Sequence, residues 1–322
     1  MKNENPLSVK IFTYIRYSLR IRRVEYRIAE IPIFLIPIFL TVRESSSLMS
    51  VQFWEGFLIF MFMFAFGDLV NCLADRELDK IYKPYLTEAV YGIGVRGVVW
   101  QATASALAAL ILSAHLSWLG RNWLILLATA CGLFTAYVYS AEPIRLKKRG
   151  LWQLVFYWFG LFFGPMIFAG MLFETVPSFH VICVALFFGL LQTGIILVNT
   201  AEDLPEDQKL GVQTVTVVLG LKKSLKFAFI FILLGSTLLL ASLAWPMLSI
   251  KPLRILVLVF LPLIASSVYA ASCLWIILKK IIPASQEQAI EIVKSYGKRV
   301  PLWITSTAIS TLITAYFYFL WR

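Results

Sequence analysis

Two stretches of the chain share one polar spacing, Asn71-x3-Asp75-x3-Asp79 and Asn199-x3-Asp203-x3-Asp207. Each closes a long apolar run of the kind that forms a membrane-spanning helix. A four-residue step advances about 400° around an α-helix, so each triplet is expected to line one face, drifting about 40° per step. Carboxylates at the end of a membrane helix are costly to hold there and mark functional sites. Two such clusters facing each other would form a cage for divalent cations, and oxygen-bound Mg2+ commonly bridges carboxylates to substrate phosphates. The chemistry expected is that of a metal–diphosphate site at a membrane face. Asp75, Asp79, Asp203 and Asp207 are its candidate metal ligands and catalytic residues.

Between the triplets lies Tyr139-Ser-Ala-Glu-Pro-Ile-Arg-Leu-Lys-Lys-Arg149-Gly150. Pro143 should end the preceding helix and leave Arg145, Lys147, Lys148 and Arg149 in a loop. Alone, such a run is a topological anchor. Beside acidic metal sites it has a second use. A diphosphate carries more charge than one or two Mg2+ offset, so cationic donors are needed where charge builds on the leaving group. Arg145 and Lys147 are assigned that role, and Arg149, nearer the next span, is left as the anchor. Lys83 and Lys209, beside the first and second triplets, are further diphosphate-binding candidates, as are Asn71 and Asn199. Gln192 also lies within an apolar run, where a buried amide needs a partner that an acceptor or diphosphate oxygen would supply.

The elements that must position these groups are membrane helices. Apolar residues make up 60% of the 322 positions and charged residues only 15%, with 15% aromatic. That balance belongs to integral membrane proteins. Nine spans are expected, near 25–43, 52–75, 97–119, 121–141, 151–173, 178–200, 224–246, 253–278 and 300–320, each long enough for a hydrocarbon core of about 30 Å. Alternate connections then gather all but five of the 29 Lys and Arg, the exceptions being Arg43, Arg121, Lys251, Arg254 and Arg322. By the positive-inside rule the N-terminus and both acidic clusters are cytoplasmic and the C-terminus is outside, in a cell (inner) membrane. The net charge of +11 is thereby a matter of topology and anionic lipid, and nucleic acid is not an expected partner.

The chain reads as one membrane domain, 1–322, without a cleavable signal. The repeated triplet suggests two parallel pseudo-repeats related by an axis near the membrane normal. Connections 76–96 and 201–223 are long enough to be binding loops, and the second includes a short apolar stretch, Val215–Leu219, suited to a helix. Segment 281–299 reads as an amphipathic interfacial helix. Cys72, Cys131, Cys183 and Cys273 stand singly in apolar segments, as small packing residues. His115 and His180 fall near the helix ends opposite the acidic clusters and read as interfacial.

Three motifs in combination resemble the UbiA-type intramembrane prenyltransferases over roughly residues 25–320. They are the first triplet followed by Lys83-Pro84, the Tyr-Ser-x-x-Pro-x-Arg-Leu-Lys run from Tyr139, and Asp203-x3-Asp207 ahead of Lys209-x-Gly211-Val-x-Thr. The resemblance implies helices around a central cavity, with diphosphate and Mg2+ held at its cytosolic mouth. It also implies ionisation of an allylic prenyl diphosphate and attachment of the cation to an aromatic, quinone-precursor, tetrapyrrole or glycerol-phosphate acceptor. It matches Asn71, Asp75 and Asp79 to the first acidic motif, Tyr139, Arg145 and Lys147 to the basic one, and Asp203 and Asp207 to the second. The chain departs from the family pattern at Cys72, where many members carry an acid. It departs again at Leu86-Thr87, where many have Arg-Pro, and at Thr200, where many second motifs begin with Asp.

The reading is an all-α Mg2+-dependent transferase that moves a prenyl group from its diphosphate to a small hydrophobic acceptor, aromatic or quinone-precursor, in contact with membrane lipid. Aromatic rings would shelter the allyl cation by cation–π attraction, and Trp152, Phe156, Tyr157, Trp158, Phe162 and Phe163 are available on the fifth span, although rings there also serve packing. One alternative is a membrane terpene cyclase that shares the diphosphate site and uses no acceptor. A remoter one is a cation-binding transporter, against which the acids lie at helix ends and not in mid-span.

Overall fold

The computed structural model describes residues 6–322, with side chains from Lys10 onward except at positions 25 and 82, so that Lys2 of the N-terminal basic segment lies outside it. All named secondary structure is helical. Among the described residues seven helices are long and apolar enough to cross a membrane, and the chain is a multi-pass membrane protein. Two expected spans are shorter. The helix α2 (Arg27–Thr41) has 15 residues and contains Pro32 and Pro37, each of which removes an amide donor. The helix α6 (Leu124–Ser140) has 17. Its start is set by Asn122, whose side chain accepts from the Leu124 amide at 3.3 Å, just after Arg121 turns left-handed (φ 50°).

The described residues gather into two compact units. The first holds the chain up to Arg27 and Glu55–Arg145. In it the amphipathic α1 (Pro6–Ile21) packs on α4 (Pro84–Ile93), and α3 (Val51–Tyr82) and α5 (Val95–Gly120) complete a core. Ile21, Leu69, Cys72, Leu86, Val90 and Val98 are all buried there. Gly92 permits the contact of α4 with α1, because a Cβ there would stand 2.3 Å from the Tyr17 ring. The Tyr17 hydroxyl donates to Glu88 at 2.8 Å across the same seam.

Segment 76–96, expected to be a loop, is almost entirely helical. Helix α3 runs unbroken to Tyr82, and α4 restarts at Pro84. Proline disfavours helical backbone in the residue before it, and Lys83 (φ −138°, ψ 59°) marks the break. The proline then sits in the first turn of α4, where no amide is required.

The second unit holds Ile28–Trp54 and Leu146–Arg322. Its most buried helix is α9 (Phe179–Glu202), which packs against α12 (Leu221–Met247). Without a hydrophobic drive between helices in lipid, close backbone approach must supply the dispersion energy, and glycines allow it. A Cβ at Gly235 would lie 2.4 Å from the Leu191 amide nitrogen, and one at Gly194 would lie 2.8 Å from the Ala228 carbonyl. Gln192, fully buried on α9, donates to the Thr307 hydroxyl of α15 (Val300–Trp321) at 3.0 Å. A neighbouring helix thus supplies the partner of its amide nitrogen.

The fifth span begins as α7 (Leu151–Val155), widens to a π-helix over Phe156–Phe163, and resumes as α8 (Gly164–Met171). Pro165 can offer no amide to the turn before it, and the wider turn accommodates the loss. Its aromatic rings largely pack. Phe162 is buried against Phe188 with ring centres 6.0 Å apart, the Trp158 indole donates to the Leu186 carbonyl at 2.9 Å, and Trp152 is exposed.

Candidate active site

The first motif lies on continuous helix, as its spacing predicts. Asn71, Asp75 and Asp79 occupy successive turns at the C-terminal end of α3. Each is steadied differently. The Ser140 hydroxyl, at the end of α6, donates to the Asn71 side-chain oxygen at 3.1 Å. Arg145 donates to the Asp75 carboxylate at 2.9 Å and to the Ala74 carbonyl at 3.4 Å. Asp79 is buried, and its carbonyl accepts from the Lys83 amide at 2.9 Å.

Arg145 reaches its partners because the chain turns sharply after α6. It adopts left-handed backbone (φ 43°) two residues after Pro143, and its Nη1 donates to Glu142 at 3.0 Å. The pair with Asp75 is mostly shielded, at 11% exposure for the arginine side chain and 18% for the aspartate. A shielded, hydrogen-bonded arginine–carboxylate pair is among the stronger polar contacts a protein makes. The basic run assigned to diphosphate therefore meets the first acidic motif directly, through Arg145. Tyr139 is half-buried on the last turn of α6.

The second motif departs from the expected single stripe. Helix α9 ends at Glu202, Asp203 breaks it (φ −82°, ψ 3°), and the six-residue α10 (Leu204–Lys209) follows. Pro205 is the cause. It has no amide with which to continue the ladder to Ala201, but its fixed φ suits a new first turn. Asn199 and Asp203 are exposed on an otherwise buried stretch, and Asp207 is half-buried on α10. The Asp207 amide donates to the Asp203 carbonyl at 2.8 Å, which holds the two residues in one tight turn. The Thr214 hydroxyl donates to the Asp207 carboxylate at 2.9 Å, one residue before α11 (Val215–Leu219).

Around this motif the second unit supplies further props. Gln153 of α7 is buried, accepts from the Val215 amide at 3.0 Å and donates to the Tyr157 hydroxyl at 2.9 Å. That hydroxyl meets Thr200 at 3.4 Å, so Thr200 has a structural partner. Lys147 lies in the short turn Leu146–Lys148, and the following Arg149 and Gly150 bridge to Gln213, with the Gly150 amide donating to its carbonyl at 2.6 Å. Lys83 and Lys209 are both exposed, Lys83 ahead of α4 and Lys209 at the end of α10.

Glu202 and Glu206 turn to α14 (Gln286–Gly297). Glu206 accepts from Lys294 at 2.8 Å, and the Glu202 carboxylate occupies the place that a side chain at position 297 would need. Burial works to raise the pKa of Glu206, but the hydrogen bond from Lys294, one from the residue's own backbone amide and the charge of Lys294 together more than offset it, and the carboxyl is held below its ordinary range. Ser140, Thr214 and Lys294 are contributors that sequence reasoning passed over. Ser140 and Thr214 stood inside the quoted motifs, whereas nothing near Lys294 in the sequence announces its contact.

The donors suit a hard divalent cation. They are amide and carboxylate oxygens, the ligands that Mg2+ takes. The adjacent soft donor, Cys72, is turned away and donates to the Ile21 carbonyl at 3.5 Å. Within the first unit no three His, Cys, Asp or Glu side chains already converge among the described residues, and Asp75 engages Arg145 instead.

Comparison with known proteins identifies the family and fold. Rice chlorophyll synthase is 32% identical over 156 residues, which cover 48% of this chain and 41% of that protein. The bacteriochlorophyll synthase 33 kDa chain of Cereibacter sphaeroides is 30% identical over 194 residues, 56% of this chain and 61% of that one. The chain thus spans about half the length of these curated relatives. Among solved structures, a UbiA homolog from Archaeoglobus fulgidus bound to GPP and Mg2+ matches the fold with a TM-score of 0.61 at 20% identity, covering 92% of this chain and 99% of that one. Digeranylgeranylglyceryl phosphate synthase matches with a TM-score of 0.66 at 20% identity, covering 94% and 99%. The model of the UbiA prenyltransferase family matches residues 31–289, and the chain belongs to that family.

Proposed function

We propose that this protein ionises an isoprenoid diphosphate in a Mg2+-dependent reaction and attaches the prenyl group to a small, aromatic or quinone-precursor acceptor. The observation that carries the reading is the Asp75–Arg145 pair, an acid and a guanidinium held 2.9 Å apart at the end of a long apolar helix. Neutralised by Arg145 at rest, Asp75 can exchange that partner for a cation, and the freed guanidinium can turn its fork of donors to phosphate oxygens. Asp75 and Asp79 on α3, and Asp203 and Asp207 about α10, would hold Mg2+, which when bound supplies charge neutralisation to the diphosphate, and Asn71 would donate to the diphosphate oxygens. Arg145 and Lys147 donate to the leaving group as negative charge gathers on it, and Lys83 and Lys209 assist at its edge. Tyr139 and Asn199 orient its oxygens. The apolar helices exclude water, so the allylic cation is captured by the acceptor, which then loses a proton, rather than by water. The relatives named chlorophyll and bacteriochlorophyll synthase make a tetrapyrrole the rival acceptor.

The test is incubation of the purified protein with geranyl, farnesyl and geranylgeranyl diphosphates and Mg2+, first alone and then with aromatic and tetrapyrrole acceptors. An adduct is the expected product. Hydrocarbon released without acceptor would replace transfer by cyclisation, and no consumption of any diphosphate would sink the reading.

The same reading puts the N-terminus and both motifs in the cytoplasm. A cysteine introduced at Lys148 should react with an impermeant reagent only from the cytoplasmic side, and one at Ser46 only from the other. The reverse pattern would overturn the orientation.

A further inference from the structure

Four acids fall within six residues at the second motif, Glu202, Asp203, Glu206 and Asp207, and they divide into two pairs by their partners. Asp203 and Asp207 form the turn that Thr214 steadies. Glu202 and Glu206 are taken up by α14. That helix, which packs with both α9 and α13, buries Ala289, Val293 and Gly297, spaced four residues apart. Lys294 on its last turns reaches Glu206 at 2.8 Å. At position 297 a Cβ would fall 1.6 Å from the Glu202 carboxylate oxygen, so only glycine leaves that carboxylate its place. The helix is itself firmly set. A capping box joins Ser285 and Gln288 at its start, and Lys222 of α12 donates to the Ile282 carbonyl just before it at 2.8 Å.

The six residues of α10 are too few to hold a helix by themselves, so its direction must come from contacts. Leu204 anchors its first turn in the core, and the Glu206–Lys294 pair ties the turn carrying Asp207 to α14. A half-exposed ion pair adds little to global stability, so its value here is geometric.

We propose that α14 is a positioning element of the second acidic motif. Lys294 is its positioning residue, acting through Glu206 on Asp207, and Gly297 is the site that receives Glu202, so the glutamates are held aside and the aspartates are left for the cation and its diphosphate. This rests on the functional reading above.

Two measurements on the full-length protein test it. Hydrogen exchange of the Asp207, Leu210 and Val212 amides needs no substrate, and it should quicken in Lys294→Ala and in the shape-conserving Glu206→Gln while Lys294→Arg keeps the protected rate. The Mg2+ concentration giving half-maximal turnover should rise about tenfold in the first two variants, as supporting residues around metal sites commonly cost, and return in Lys294→Arg. The charge-exchanged double variant Glu206→Lys/Lys294→Glu should recover most of the loss of either single change. Unaltered exchange and Mg2+ demand in Lys294→Ala and Glu206→Gln would overturn the proposal. A wild-type protein that consumes no prenyl diphosphate would instead strike the functional reading, and the exchange measurement would still decide the role of α14.

Discussion

The segments 71–94 and 199–220 begin with the same triplet and end on the same device. Each leads through a short helix to a glycine at positive φ, Gly94 (φ 86°) and Gly220 (φ 78°), from which the next long helix starts. Between those ends they differ. The first triplet stays on one unbroken helix and takes its support from far along the chain, Ser140 for Asn71 and Arg145 for Asp75. The second is broken at Asp203 by Pro205, and Asp207 is steadied by nearby Thr214. Equal spacing thus supports two mechanical designs. In one, a rigid helix carries acids whose charge is met by an arginine. In the other, acids on a tight turn are placed by the contacts of a short helix.

The sharpest way to break this comparison is to remove one acid from each segment. Asp75→Ala and Asp203→Ala should both bring prenyl diphosphate turnover to background while leaving expression and membrane insertion intact, and EDTA should do the same reversibly. Full turnover in either variant would end the equivalence of the two segments. A smaller effect should distinguish the arginine. Replacing Arg145 and Lys147 together by Gln should lower the rate by on the order of 10²–10³, the usual loss when a donor to developing charge is removed. Arg149→Gln should cost little, and equal small losses in both variants would return the basic run to a topological anchor. Smallest for catalysis is the shared glycine. Gly94→Ala and Gly220→Ala should each destabilise the protein by about 1–3 kcal/mol, because both conformations are almost closed to other residues. That loss should be read as a lower unfolding midpoint in detergent. A large loss at one position alone would show that only one of the two turns depends on its glycine.

What was legible in the sequence follows physical range. The seven long helices and the end of α6 before Pro143 were readable, because burial of apolar runs and the stereochemistry of proline act locally. So was Val215–Leu219 as a short helix. The restart of the chain as α4 was not, because the polar residues after Asp79 look like a loop until Tyr91 and Thr87 are seen to bond back onto α3. The break of the second triplet was inscribed in Pro205 and masked by the attraction of a regular spacing. At the site, Arg145 was named, but its contact with Asp75, 70 residues away, depends on how α3 and α6 pack. Lys294 is further still, 88 residues from Glu206. The buried partner of Gln192, on α15, belongs to the same class of long-range contact.

The wide turn at Phe156–Phe163 has a consequence for any residue-by-residue survey of the fifth span. The Gly164 amide bonds to the Phe159 carbonyl, five residues back, and a Cβ at 164 would press to 2.9 Å from that oxygen. A helix wound this way advances fewer degrees per residue, so the sides of the rod before Phe156 and after Phe163 are out of phase. Counting every third or fourth position from the exposed Leu151 would therefore carry the exposed side on to Met166, which is buried. Substitution tolerance along 151–171 should show the ordinary helical rhythm twice, with a slip between, and Gly164→Ala should remove the slip or fail to pack.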